Sequence, residues 1–568
     1  MISRQSLVHA TILVVSLLLG ACGGGGGGND APPPVSNPPP TPAPPPVSKA
    51  EIDAASRMIQ RASFGIAYDE LESAAQLSPE TWLDQQLALP ATYHRGVMEE
   101  VLSRRARGEF DAFEEDIEYL IFARRIAWWH NTLTAPDTVR QRVAYALSQI
   151  FVVSDRVDTL EIYPYALNTY YDLLLQHAFG NYRDLLRDVT LSPAMGLYLS
   201  HLNNRAADPA RNIFPDENYA REVMQLFSIG LFELNLDGSP RLDANGRPIP
   251  SYDNDDIREF AEIFTGLSFG GPGAFFGNRD EPNFSVPMQM FDAAHEPGQK
   301  HLLNGFVVPA GQSGIQDVEL AIDNLFNHPN VGPFIGRQLI QRLVTSNPSP
   351  AYIERVARVF NDNGAGIRGD LRAVVRSILL DPEATSPADP LTVSGALREP
   401  LVRYITLLRQ FKIDSTDSLV AATGYLIQQA VNQHPMSAPS VFNFYLPDHT
   451  PAGPIADAGL VAPEFQITNA TTIIGWPNVL DAIVLGDFPA ETPEGFDPVT
   501  LDFDPWIALA DDTTELIRAL DSLLTAGQLD PALADVWIAE LDAIEDRSFR
   551  FRSALWLFLI SPEYVVLQ

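Results

Sequence analysis

The densest polar chemistry in the chain falls on one predicted helical segment, Pro215 to Gly230. There Glu217, Asn218, Arg221 and Glu222 fall within six residues. At 100° per residue Glu217, Arg221, Gln225 and Ser228 share one side, with Asn218 and Glu222 at its margin. Tyr219, Val223, Leu226 and Phe227 occupy the opposite side. Two carboxylates, an amide and a guanidinium are the groups that acid–base transfer and the holding of a developing negative charge require. The same residues also suit a solvated or internally paired face. Glu217 and Arg221 stand at i,i+4, where an exposed pair contributes only about 0.2–0.5 kcal/mol. Asp216 is the expected cap of this helix and Gly230 its stop.

Other motifs invite chemistry more weakly. His295 and His301 flank Glu296 and Lys300 shortly after Asp292. A metal pair there would need ligands that no spacing supplies, since H-E-x-x-H is absent, so solvated loop histidines are expected. Gly266-Leu-Ser-Phe-Gly270 matches the hydrolase elbow G-x-S-x-G, which needs a strand before the serine and a helix after it. A helical pattern precedes it and Gly-Pro-Gly follows, so Ser268 is read as a chance match. Asp243-x-Asn245-Gly246 fits half of a calcium loop, but Arg241 and Tyr252 occupy ligand positions. With Asp237-Gly238 it reads instead as the turns of a small β-meander. No phosphate loop or dinucleotide fingerprint appears, and neither cofactor nor metal is expected.

The elements around these residues are mostly helical. Apolar spacing predicts helices over Ala50–Phe64, Asp111–Leu133, a helix opening at Pro136, Tyr163–Phe179 and Tyr182–Val189. Asp253 to Asp256 cap a helix with the stripe Ile257, Phe260, Ala261 and Phe264, ending at Gly266. Further helices are predicted over Ile315–Asn327, Val331–Val344, Ala351–Asn361, Leu371–Leu380, Leu397–Phe411, Leu419–Val431, Thr513–Thr525 and Phe549–Ile560. Ser437 to Phe503, rich in Pro, Gly and Asp, reads as long ordered loops. The expected fold is mainly α: one large multi-helix domain over 49–568 with a small β-hairpin or meander insertion. A division into two lobes would fall near 385–395.

Composition bounds the partners. The 568 residues carry 38 Lys+Arg against 72 Asp+Glu, a formal charge of −34. That excludes a phosphate-tracking nucleic-acid binder and disfavours electrostatic attachment to anionic lipid. The single cysteine, Cys22, rules out an internal disulfide. It follows Arg4 and the apolar run Leu7 to Leu19, which is too short to be a good membrane span. Leu19-Gly20-Ala21-Cys22 resembles a bacterial lipobox, which implies a signal peptide over 1–22 and lipidation of Cys22. Gly23, where inner-membrane lipoproteins carry Asp, favours the outer membrane. Residues 23–48, a glycine run and then a proline-rich stretch, form an expected tether.

Several motifs together resemble a bacterial family, the domain of unknown function 1800. They are Arg61-Ala-Ser-Phe-Gly65, Phe179-Gly-Asn-Tyr-Arg-Asp-Leu-Leu, Asp188-Val-Thr-Leu-Ser-Pro, Glu217-Asn-Tyr-Ala-Arg-Glu, Phe264-Thr-Gly, His295-x-Pro-Gly-x-Lys300 and Ser561-Pro-Glu-Tyr564. The resemblance covers about Ala50 to Gln568, with Leu267 standing where the family usually has Trp. It implies a large, mainly helical, exported bacterial protein and brings no catalytic residue. It also implies association with an exported sulfatase-like protein of the domain of unknown function 1501. Two classes of function follow. One is an envelope lipoprotein that binds or assembles a partner protein or glycan. The other is a hydrolase or transferase acting on an envelope polymer through Glu217, Asn218, Arg221, Glu222 and His295.

Overall fold

The first helix, Lys49–Ala62, shows how local signals and distant packing combine. Ser48 and Glu51 close a reciprocal capping box, with the Ser48 amide donating to Glu51 Oε2 at 2.8 Å. Its buried stripe of Ile52, Ser56 and Ile59 packs on the segment Asp521–Thr525, near the other end of the chain. Gln60 Nε2 donates to the Leu523 carbonyl at 2.8 Å, and Lys49 Nζ reaches Asp521 at 2.9 Å. The last strand, Val566–Leu567, pairs antiparallel with Ala396–Leu397.

The computed structural model describes residues 47–109, 116–386, 395–486, 492–493 and 496–567. Residues from Val47 onward form one compact unit. The signal peptide, Cys22, nearly all of the tether and most of the expected lobe boundary lie outside the described residues. Among the described residues the fold is mainly α, with 26 α-helices and four two-stranded antiparallel sheets. No described helix is long and apolar enough to cross a membrane.

The predicted meander forms over residues 231–251. Glu233 N donates to the Ile249 carbonyl at 2.8 Å and Arg241 N to the Glu233 carbonyl at 2.7 Å. Pro240, Pro248 and Pro250 lack an amide hydrogen, so its strands meet as single rungs rather than a continuous ladder. Gly238 and Gly246 turn it at φ +79° and +77°.

Two expectations fail for the same reason: glycine marks close packing as well as chain breaks. The helix expected over Leu419–Val431 is shortened to Tyr425–Val431. Gly424 precedes it at φ +69°, and a Cβ there would lie 2.4 Å from the indole of buried Trp129. Conversely, the stretch Ser437–Phe503 is not all loop, since it holds the helix Ala470–Leu480, capped by Asn469. Gly475 lets that helix close on the helix Tyr425–Val431; a Cβ at 475 would meet the Ala430 carbonyl at 1.9 Å. The helix expected as one unit over Thr513–Thr525 is α-helical to Leu520 and continues as a π-turn over Asp521–Thr525.

Candidate functional site

The polar helix runs Asn218–Gln225, one residue later than Glu217 would allow as its first turn. Glu217, not Asp216, stands at the N-cap and makes no side-chain cap bond; Asp216, one residue earlier, accepts from the Asn218 amide at Oδ1 at 2.9 Å. Tyr219, Val223 and Met224 are fully buried and turn the helix toward the core. There the ring of Phe264, on the neighbouring helix's end, stands edge-on to Tyr219 at 4.9 Å.

The four candidate residues of this helix separate into two environments. Glu217 and Asn218 are exposed. Arg221 Nη2 lies 3.8 Å from Glu217 Oε2 with both side chains more than 40% exposed (42% and 45%), an ion pair too loose for a hydrogen bond. Glu222 instead points inward and is 6% exposed. Its Oε2 has no hydrogen-bond partner, and burial holds its carboxyl above the usual glutamate range despite the Arg221 charge. Beside it Tyr252 donates to Gln225 Oε1 at 3.2 Å.

His295 belongs to a different cluster. It is buried, not solvated, which corrects the loop-histidine expectation. Nδ1 lies 2.9 Å from the Thr265 carbonyl and Nε2 3.0 Å from Asp317 Oδ2. Asp317 also accepts from Lys300 Nζ at 2.6 Å and Gln312 Nε2 at 2.5 Å. Burial alone would raise the Asp317 carboxyl; its bonds to His295, Lys300 and Gln312 outweigh that and hold it below the usual range. Lys300, itself buried, donates further to the carbonyls of Glu296 and Gly298. Every polar atom of His295 is thus committed within a buried knot that fastens the 295–300 loop. His301 is exposed and bonds Gln299. The two histidines do not converge, and among the described residues no group of three or more His, Cys, Asp or Glu could hold a metal ion.

Ser268 sits in a two-residue strand paired with Gln289–Met290, followed by loop rather than helix. Its hydroxyl donates to Asn203 Oδ1 at 2.6 Å. That bond belongs to a frame the sequence did not reveal. Asn203 Oδ1 also accepts from the Gly277 amide at 3.1 Å, and Asn203 N donates to the Leu267 carbonyl at 2.8 Å. Asn204 Oδ1 accepts from the Asp216 amide at 2.9 Å, while its Nδ2 donates to the Asp216 carbonyl. Two adjacent amides therefore tie the 200–205 loop to the strand at 267 and to the start of the polar helix. The loop takes left-handed backbone at Ser200 (φ +66°) and Asn203 (φ +64°), a conformation uncommon outside glycine.

Asn203 and Asn204 also line a wide cleft beside the start of the polar helix, about 740 Å³ and open to solvent. Tyr163, Phe214 and Phe269 supply rings to it, and Arg205, Asp216 and Arg279 supply charge. Phe214 is 63% exposed, far more than a structural phenylalanine needs. Glu217, Arg221 and Glu222 do not line it, although Asp216 does. A second cavity, about 310 Å³, holds Asp172 and Asp188. Both are engaged: Asp172 accepts from the amides of His94 and Arg95 at the start of the helix His94–Ala106, and Asp188 bonds His177 and Arg187.

The geometry defines a large helical protein with a wide polar and aromatic cleft, which the carboxylates of Glu217 and Glu222 on its polar helix do not line. The chain belongs to the family described as protein of unknown function (DUF1800), whose profile matches residues 57–566. No curated protein and no solved structure matches the chain.

Proposed function

We propose that the protein is a lipid-anchored binding protein of the bacterial envelope whose cleft holds a glycan. The observation that carries the reading is the cleft's lining. The exposed ring of Phe214, with half-buried Tyr163 beside the cleft, offers a face to sugar rings, and the guanidiniums of Arg205 and Arg279 offer planar donors to hydroxyls or carboxylates. The asparagine frame beneath fixes these groups, which limits the entropy lost on binding. Lipidation of Cys22, an outer-membrane address and an exported sulfatase-like partner are parts of the same proposal. They rest on the leader and the family resemblance.

Cosedimentation of the full chain with purified peptidoglycan sacculi, and separately with lipopolysaccharide, tests the cleft. Binding to one of them should weaken about tenfold or more in Phe214→Ala and in Arg279→Ala, as loss of a stacking or charged contact requires. No cosedimentation with either polymer, or binding by both variants as tight as that of the unaltered chain, overturns it. A hydrolase or transferase reading retains one supporting observation, the buried and unpartnered Glu222 carboxyl with its raised affinity for a proton. Full complementation of a deletion strain by Glu222→Gln would remove that reading.

A further inference from the structure

A small, partly enclosed cavity of about 30 Å³ that shares no lining residue with the cleft lies between segments that meet only in the folded chain. Arg142, Arg342, Arg398, Glu399, Tyr445 and Glu464 are among its walls. Arg142, Arg398, Glu399 and Glu464 are 5%, 7%, 5% and 5% exposed. Charges so deeply buried are strongly destabilising unless opposite charge accompanies them.

The hydrogen bonds here do not bring opposite charges together. Glu399 Oε2 accepts from Tyr145 Oη at 3.1 Å, Gln149 Nε2 at 2.8 Å, Gln433 Nε2 at 2.6 Å and Tyr445 Oη at 3.1 Å. All four donors are neutral. The guanidiniums turn to neutral acceptors in the same way. Arg142 bonds the Arg342 carbonyl, Arg342 the carbonyls of Gln338 and Gln149, and Arg398 the Gln60 amide oxygen. Four of their buried N–H groups have no partner: Arg142 Nε and Nη1, Arg342 Nε and Arg398 Nε. Against these donors stand two unpartnered acceptors, Gln341 Oε1 and Glu464 Oε2. Three guanidiniums outnumber the two carboxyl groups even if both are ionised.

We propose that this cavity binds a single halide-sized monovalent anion, chloride in the cell, held by the unpartnered N–H groups of Arg142, Arg342 and Arg398. Such an ion supplies both the acceptor and the negative charge that the walls lack. A water molecule would accept hydrogen bonds but leave the charge excess. The volume, about that of two water molecules, suits a small monatomic ion better than tetrahedral phosphate or sulfate. The inference is independent of the glycan reading.

Thermal unfolding of the full chain in sodium chloride, with sodium gluconate replacing it at constant ionic strength, tests the site. A ligand of the folded state alone should raise Tm saturably, by about 2 °C at a hundredfold excess over its Kd for a domain this long. Bromide should substitute for chloride. Arg398→Gln should lower Tm and flatten the halide dependence; undiminished dependence in that variant overturns the assignment to this cavity. If that variant does not fold, crystals of the wild-type chain grown in bromide decide the matter. An anomalous peak between Arg142 and Arg398 supports the proposal. Water density there without bromide, or equal Tm in chloride and gluconate, refutes it.

Discussion

Glu217 and Arg221 are expected to behave as an exposed helical pair. Each alanine variant should lose less than about 1 kcal/mol in urea denaturation, because water screens both groups. Glu222 should behave differently. Its carboxyl is buried without a partner on Oε2, so Glu222→Gln is expected to be at least as stable as the parent at pH 7–8, by the same measurement. A clear loss of stability in that variant would mean that the ionised form is required in the fold. Glu464 gives a pH signature. Burial pushes its carboxyl from 4.5 up to about 8, so between those values the folded chain binds more protons than the unfolded one. Stability should therefore fall as pH rises through that window, and Glu464→Gln should remove that part of the slope. A profile unchanged by the substitution would contradict the shift. Little of this was legible beforehand. Spacing placed Glu217 and Arg221 correctly as an i,i+4 pair. It could not tell that Glu222, one residue further, turns into the core, or that His295 meets Asp317, whose partner choice depends on a helix entering from later in the chain. The buried arginine cluster left no local signal, since Arg142, Arg342, Arg398 and Glu464 are far apart in sequence.

Helices carried the clearest signals. Capping residues and apolar stripes located Lys49–Ala62, Asn254–Ile263 and Arg547–Ile560 to within about three residues, because those signals are local. The stripe ending in Phe264 was expected to bury that ring against the polar helix, and its edge-on contact with Tyr219 bears this out. Phe264→Ala should then destabilise by about 3–5 kcal/mol in thermal or urea melts; a loss below about 1 kcal/mol would place the ring at the periphery. Glycine was the misleading signal. At 475 it reads as a breaker, yet it sits within a helix because only a bare Cα fits against the Ala430 carbonyl. Gly475→Ala is expected to cost about 1–3 kcal/mol by overpacking, where an exposed helical glycine would gain stability from the same change. Circular dichroism melts distinguish the two signs. The cleft was invisible at this scale, because its lining comes from loops whose conformations Asn203 and Asn204 fix through distant partners.

For the whole molecule, the mainly α class and the family followed from periodicity and the family motifs, which depend on no tertiary detail. The leader and tether carry the remaining prediction. Cys22→Ala should shift the protein from membrane to soluble fractions, and removal of residues 23–47 should leave Tm nearly unchanged. Retention of the Cys22 variant in washed membranes would refute the lipid anchor. The junction of the chain's two ends has a further consequence, for the order of folding. Gln60 finds its carbonyl partner 463 positions later, at Leu523. At about 5–20 residues per second of synthesis, the first helix waits tens of seconds for its docking surface to exist. Until then the helix has only its earlier partners, among them the helices Tyr68–Ala74 and Thr138–Ser148, and part of its buried stripe waits uncovered. The packing of the first helix is thus completed only when the final fifty residues arrive.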